Sequence, residues 1–329
     1  MTEKNNDKVV TGMITKGVGG LYTVRCDDGC EVTCLARGVF RYENMTPLVG
    51  DRVEVLSNTT AGEDEQKKNS PGYVIEKILE RNNSLIRPAL ANLTHLFVVV
   101  PCARPKPDIV TVDKLVSIAD SKDIEPVIIV NKADIEPEEA LRIKEIYTKA
   151  GFSCFILSAR TGEGCDALME YLEKSSNASP TVSAFAGASA AGKSTLMTKL
   201  FPDLKLKTGE VSRKTQRGRH TTRHVELFSV LENGRCFVAD TPGFSLLDFA
   251  RYNFYELSEL PWSFREFRES LGKCRYTKCT HTKEEGCEIL RRVNDGEISR
   301  QRHESYVALY EEIKKVPEWK RKQEQSCSR

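Results

Sequence analysis

The octapeptide Gly187-Ala188-Ser189-Ala190-Ala191-Gly192-Lys193-Ser194 constrains the fold more than any other stretch of the chain. Its G-x-x-x-x-G-K-[ST] spacing works where a buried strand runs into a tight loop and the loop opens a helix. There the glycines let successive backbone N–H groups turn inward around a phosphate. The flanks supply both elements: residues 181–186 read as an apolar strand, and Leu196 and Leu200 recur at helical spacing. In such a loop Lys193 reaches the β and γ oxygens of a nucleoside triphosphate, and the Ser194 hydroxyl ligates Mg²⁺. Residues 187 to 195, ending on Thr195, are the expected nucleotide cradle.

The surroundings agree with an α/β domain. Residues 94–100 and 127–130 are continuous apolar runs of the kind buried in a parallel sheet, and 152–157 is a further strand candidate. Amphipathic helical stretches at 109–121, 137–150 and 165–174 lie between them, and Glu136, Glu138 and Glu139 place carboxylates at one helix start. Segments 225–231 and 236–239 flank Asn233-Gly234, a hairpin signal. The expectation is a doubly wound α/β domain.

Asn131-Lys132-Ala133-Asp134 ends a buried strand, where ligands of such sheets sit. An aspartate there accepts two parallel hydrogen bonds from the N1–H and exocyclic amine of guanine. Adenine offers no such pair. Asn131 would brace neighbouring loops, and the Lys132 stem would lie along the base. Ser158-Ala159-Arg160 ends another strand and matches the short motif whose backbone N–H contacts guanine O6. Alone, Asn131–Asp134 also reads as a helix start; beside the phosphate loop it reads as a guanine site. Asp240-Thr241-Pro242-Gly243 follows a further apolar strand, where Asp240 would hold Mg²⁺ through water and the Gly243 N–H would sense the γ-phosphate. Ordinary GTPases run phosphate loop, switch I, DxxG, NKxD, SAx. Here NKAD and SAR come first and DTPG last, which is a circular permutation, feasible where domain termini lie close together.

Residues 205–224, between phosphate loop and DTPG, hold seven Lys and Arg against one Glu. By position this is switch I. Thr222, or in second place Thr221, is the expected additional Mg²⁺ ligand. The segment reads either as a solvated basic loop or as one that orders on RNA and GTP together. Phe244 stands where a Ras-like enzyme carries its water-orienting Gln, so another group must act on the attacking water. His220 is the expected catalytic residue, with Lys193 and Gly243; the alternative for His220 is contact with an RNA phosphate.

The first 82 residues carry β signals at 9–13, 21–25, 31–35 and 51–56, punctuated by glycines, as in a small barrel such as the OB-fold. Twelve Lys and Arg against thirteen Asp and Glu over residues 1–93 leave oligonucleotide binding and plain docking as equal readings of that barrel. Across the chain 49 basic and 47 acidic residues give +2, so any nucleic-acid contact must be local. The N-terminus lacks an apolar core and no run reaches the roughly 18 apolar residues of a membrane span, so the expected location is the cytoplasm. Eleven cysteines then read as thiols or metal ligands rather than disulfides. Cys26, Cys30 and Cys34 fall at like parity across an apparent hairpin and are expected to be packing residues rather than a metal site. Cys274, Cys279, His281 and Cys287 gather three thiols and an imidazole, the closed set of a structural Zn²⁺ site; free reduced cysteines are the alternative. The helix expected at 287–293 and the basic tail at 314–322 suit either anionic RNA or solvent. No heptad or broad apolar stripe calls for a dimer, so a monomer is expected.

The expected organisation is an OB-fold β-barrel over 1–82, a circularly permuted α/β P-loop GTPase domain over 83–250, and a helical zinc-binding domain over 251–329. A GTP-gated RNA-binding switch, a P-loop ATPase or nucleotide kinase, and a structural RNA chaperone are the competing readings. The whole set, from the barrel through NKAD, GASAAGKST, GRHTT and DTPGF to C-x4-C-x-H-x5-C, resembles the bacterial ribosome small-subunit-dependent GTPase A family, RsgA or YjeQ/YloQ. The resemblance implies a late assembly factor that binds the 30S subunit and its 16S rRNA near the decoding centre, hydrolyses GTP with ribosomal stimulation, and leaves. It maps the family's switch-I histidine onto His220 and implies Zn²⁺ in the C-terminal domain and Mg²⁺ with GTP. Ala190-Ala191 depart from the Gly-Val usual in the family, so Ala190 must accept the loop's backbone geometry.

Overall fold

The computed structural model describes residues 9–42, 45–57, 72–85, 89–204, 225–240 and 257–315. Five strands build the N-terminal barrel: β1 (Val9–Val18), β2 (Leu21–Cys26), β3 (Glu31–Ala36), β4 (Arg52–Ser57) and β5 (Tyr73–Ile78), with the short helix α1 (Val39–Tyr42) after β3. Their order, β1-β2-β3-β5-β4, closes on itself through β1–β4, and β3–β5 is its one parallel pair. This is the five-stranded topology expected of an OB-fold. Closure depends on the length of β1. Residues 9–13 pair with β4 and residues 12–18 with β2, with an irregularity between Ile14 and Lys16. Ile14, Val24, Cys34, Val53, Val55 and Ile75 fill the interior.

Two small strands, β6 (Ser84–Leu85) and β7 (Leu90–Ala91), lead into the main sheet. Arg81 grips the fully buried Asp51 carboxylate through Nε at 2.6 Å and Nη2 at 2.8 Å, fastening the chain that leaves the barrel to the barrel's own β4 entry. The main sheet contains β8 (His95–Pro101), β9 (Glu125–Asn131), β10 (Ser153–Ile156), β11 (Thr181–Gly187), β12 (Glu226–Ser229) and β13 (Cys236–Asp240). The order is β10-β9-β8-β11-β13-β12, parallel except for β12. β12 also meets β1, at Lys16 opposite Glu226, so barrel and sheet are continuous.

Both faces of this sheet are covered, which is why its strands read as unbroken apolar runs. Leu96, Val98 and Val100 face the core under α2 (Ile109–Ser121) and α3 (Pro137–Lys149). Phe97 and Val99 face the core under α4 (Cys165–Ala178) and α5 (Lys193–Leu200). The hairpin expected at Asn233-Gly234 is present, but the turn is longer than two residues: Val230 bonds to Cys236 and Gly234 (φ 66°) to Leu231. The expected strand 225–231 accordingly shortens to Glu226–Ser229.

The C-terminal part has no strand among its described residues. Two 3-10 helices, Leu260–Ser263 and Arg265–Ser270, precede α6 (Glu288–Asn294) and α7 (Arg300–Lys315). An aromatic group of Phe264, Phe267, Tyr306 and Tyr310 forms its centre. The unit is fastened to α2 and β9 by charge: Arg265 reaches Asp120 and Glu125, Arg268 reaches Asp120, and Lys114 reaches Glu312.

Candidate functional site

The sheet changes direction of progress between β8 and β11. From β8 the chain moves to β9 on one side; from β11 the next parallel strand is β13 on the other. A crevice opens at the carboxyl ends of strands at such a point. The NKAD, SAR and phosphate loops all emerge there, after β9, β10 and β11.

Asn131 holds the three loops together. Its side-chain amide donates to Ala191 O at 2.8 Å, and its carbonyl accepts from Ala159 N at 3.0 Å and Lys132 N at 2.8 Å. The residue is 2% exposed, so these partners replace water. Lys132 takes a left-handed backbone (φ 70°) and its ammonium donates to Arg104 O. Asp134 accepts from Arg160 Nη2 at 2.5 Å. The Ser158 hydroxyl, and after it Arg160, hold the Asp134 carboxyl below the usual carboxylate range. Sequence reading assigned the base carboxylate and the short SAR motif, but it missed that Ser158 and Arg160 both address Asp134. The 23 residues between Asp134 and Ser158 carry no pattern for such a pairing.

The two glycines of the phosphate loop are required for different reasons. A Cβ on Gly187 would lie 2.6 Å from Val99 O, so close packing against β8 excludes it. Gly192 has φ 97°, and a Cβ there would meet Asn131 Nδ2 at 2.2 Å. Ala190 adopts φ 63° without being glycine, the strain that its departure from Gly implies. Gly192 caps α5 with no side-chain acceptor, leaving the first-turn N–H groups to a ligand. Lys193 Nζ donates to Gly187 O at 2.7 Å and Ala188 O at 2.9 Å, and burial lowers its pKa. A phosphate arriving at the loop would meet Ser189, Ser194 and Thr195, all exposed. Asp240 ends β13 on the same side of the sheet. The Asp240 side chain, Gly243, Phe244, Thr221, Thr222 and His220 lie outside the described residues, as does the whole basic segment 205–224.

The second cluster lies in the C-terminal unit. Cys274 Sγ is 3.5 Å from His281 Nδ1 and 3.8 Å from Cys287 Sγ, and Cys287 Sγ is 3.6 Å from His281 Nδ1. With Cys279, all four donor atoms lie within 4.8 Å of one another. A tetrahedral ion with bonds of about 2.3 Å to sulfur and about 2.0 Å to nitrogen has edges of roughly 3.5–3.8 Å, so the set fits such an ion. Burial first, and then the Cys287 and Cys274 sulfurs, push the Cys279 thiol up to about 12, and a cation is what converts such a set to thiolates.

Three residues that the sequence reading did not single out shape this loop. His303 Nε2 lies 2.8 Å from His281 O; a carbonyl only accepts, so that nitrogen carries the proton. Tyr306 donates to Thr280 O at 2.8 Å. Glu284 accepts the Thr280, Thr282 and Lys283 amides and the Thr280 hydroxyl. Burial alone would raise this carboxyl, but those hydrogen bonds outweigh it and hold it at about 2. His303 and Tyr306 sit within the first two turns of α7, with no local signal linking them to the cysteines.

The cysteines of the barrel follow expectation in part. Cys26 and Cys34 are buried packing residues, but Cys30 is exposed at the mouth of the β2–β3 hairpin.

Comparison with known proteins agrees with this arrangement. The RsgA GTPase family model matches residues 78–250, and the RsgA N-terminal domain model matches residues 11–62. The small ribosomal subunit biogenesis GTPase RsgA of Caldanaerobacter subterraneus subsp. tengcongensis is 39% identical over 306 residues, 93% of this chain and 96% of that protein. The protein of the same name from Clostridium perfringens (strain 13 / Type A) is 37% identical over 303 residues, 92% of this chain and 97% of its own. The crystal structure of YjeQ from Thermotoga maritima superposes with a TM-score of 0.75 at 30% identity, covering 94% of this chain and all of that one (100%). That of YloQ, a circularly permuted GTPase, gives 0.72 at 28% identity, covering 96% and 99%. The barrel and the permuted nucleotide sheet thus have their counterparts in proteins aligned over nearly the whole chain, which belongs to the RsgA GTPase family and is a circularly permuted GTPase.

Proposed function

We propose that this GTPase acts on the small ribosomal subunit late in its assembly: it binds the 30S particle and its 16S rRNA, is stimulated there, converts GTP to GDP and phosphate, and departs. The names of its relatives and the permuted order of its motifs support this reading. The observation that carries the nucleotide assignment is the Asn131 bridge, because one buried side chain ties the proposed guanine loops to the phosphate loop.

In this reading Asp134 binds the N1–H and amine of guanine, a backbone N–H of the Ser158-Ala159-Arg160 turn faces O6, and the Lys132 stem covers the ring. Residues 187 to 195 wrap the phosphates. Lys193 leaves its two carbonyl partners for the β and γ oxygens. Ser194, Thr222 and, through water, Asp240 would hold Mg²⁺, which would supply positive charge against the phosphate oxygens. His220 orients the attacking water in place of the missing Gln, with Lys193 and the Gly243 N–H stabilising the departing phosphate. Cys274, Cys279, His281 and Cys287 hold one structural Zn²⁺ with no open position. The three units run over 1–82, 83–250 and 251–329, and the protein works as a cytoplasmic monomer. Consistent with that setting, no described helix is long and apolar enough to cross a membrane.

Competition at the nucleotide site tests the base assignment. Unlabelled GDP should displace a fluorescent GDP analogue while ADP does not, and Asp134→Asn should shift preference toward xanthine, whose 2-carbonyl accepts from the new amide. Equal displacement by ADP would return the chain to the ATPase or nucleotide-kinase reading.

A further inference from the structure

The hairpin between β2 and β3 closes on two cysteines. The register from Leu21↔Leu35 to Arg25↔Glu31 places Cys26 opposite Cys30. The Cys26 N–H donates to Cys30 O at 2.8 Å, and the Gly29 N–H (φ 89°) donates to Cys26 O at 2.9 Å. This is a three-residue loop with its last residue left-handed, a geometry that fixes the hairpin mouth. Residues opposed across a hairpin project from the same face, so both sulfurs point to one side. Asp28 joins them from within the loop. Its carboxylate accepts Cys30 N–H at 3.0 Å, and the two sulfurs and a carboxylate oxygen all lie within 4.8 Å of one another. The neighbouring acid, Asp27, is engaged elsewhere by Arg52 and Thr11.

Packing accounts for Cys34 and Cys26 but not for an exposed Cys30 beside an exposed Asp28. A disulfide suits the pair poorly. Directly opposed, hydrogen-bonded residues keep their Cβ atoms about 5.5 Å apart, whereas a disulfide needs about 3.8 Å. Two thiolates on one tetrahedral ion sit about 3.8 Å apart sulfur to sulfur, a span that side-chain rotation alone reaches. We infer that Cys26, Asp28 and Cys30 form a second metal site, for a thiophilic divalent cation of the Zn²⁺ class, with water as the remaining ligand. Uptake exchanges two S–H bonds for two sulfur–metal bonds and releases two protons to solvent; no electrons move. The site borders a cleft of about 500 Å³ between barrel and main sheet, where Arg25, Cys26 and Gly29 face Gly234, Arg235 and Phe237. A bound ion would rigidify the barrel side of that cleft.

The full-length protein, stripped and reloaded with Zn²⁺ alone, tests this by elemental analysis. Wild type should hold two ions per chain and Cys30→Ala one. Asp28→Asn should hold two but lose the second at lower chelator concentration. Cys30 is exposed and its replacement leaves the four C-terminal ligands intact, so the difference between wild type and variant reports this hairpin whatever the C-terminal cluster does. If stripping unfolds the protein, Cd²⁺ titration of the protein as purified replaces it. A thiolate–Cd²⁺ band that Cys30→Ala lacks supports the site. Equal stoichiometry or equal bands in the two proteins overturn it.

Discussion

Arg302 on α7 donates to Asp113 on α2 at 2.7 Å, and both side chains are wholly buried. Glu266 is the second partner of the guanidinium, which also lies 4.6 Å over the Phe264 ring, and Tyr147 donates to the same Asp113 at 2.9 Å. The joint between C-terminal unit and nucleotide domain is thus an ionic cluster inside an aromatic shell. Through α2 it connects to β9, whose carboxyl end carries the Asn131–Asp134 loop.

Removing one member of such a cluster strands a buried charge, at about 3–5 kcal/mol. Arg302→Met should therefore lower stability in urea unfolding by that amount. Asp113→Asn, which still hydrogen-bonds, should lower it less. A loss below about 1 kcal/mol for Arg302→Met would mean that the joint is wetter than its burial indicates.

Asn131→Ala should damage the site and the fold together. It leaves Ala191 O and Ala159 N–H without their partner in a buried position, a penalty of about 1–3 kcal/mol for each unsatisfied group before relaxation. GDP affinity should drop at least about tenfold, equivalent to about 1.4 kcal/mol. Unchanged affinity by calorimetry would show that the loops hold their positions without the bridge.

Ala190 offers a test of opposite signs. A left-handed backbone at a non-glycine residue costs about 1–2 kcal/mol, and glycine relieves it while adding about 0.4–1 kcal/mol of unfolded-chain entropy. Ala190→Gly should raise stability by less than about 1 kcal/mol, and Ala190→Val, β-branched at φ 63°, should lower it by more than that. Thermal unfolding of the two variants checks both signs; a loss on Ala190→Gly would remove the strain argument.

Lys193 sets a pH dependence. Burial lowers its pKa, so in the free protein the amine loses its proton at lower pH than an ordinary lysine. Nucleotide phosphates would draw the proton back. GDP affinity is therefore full below the free-protein pKa and falls as pH rises through it, with proton uptake on binding. Guanine N1 also ionises at alkaline pH, so Lys193→Arg, which stays charged, is the comparison. Its profile should fall less steeply than that of wild type. Parallel profiles would assign the whole loss to the base.

Legibility from sequence follows the range of each interaction. The phosphate loop was readable because its constraint is local: a turn, two glycines with steric reasons and a helix start within eight residues. The strands at 94–100 and 127–130 were readable because burial on both faces leaves a run of apolar side chains, while the flanking Glu125 and Asn131 fell outside the pattern. The barrel was readable as a set of short strands, but its closure was not, since it depends on β1 pairing with β4 some forty residues away. The same limit hid Arg302–Asp113, where each partner looks like an ordinary surface residue until α7 packs on α2, and His303–His281, where nothing around His303 in the sequence marks it as a partner of the cysteine loop. Cys30 was misread because parity along a strand does not tell the residue at a hairpin mouth from one inside a barrel.

GTP and ATP turnover by the purified protein, alone and with added 30S or 50S subunits, tests the central claim most directly. The account predicts strong stimulation of GTP hydrolysis by 30S, none by 50S, and inert ATP throughout. GTP turnover indifferent to both subunits would contradict the ribosomal role and leave a guanine-nucleotide enzyme with another partner.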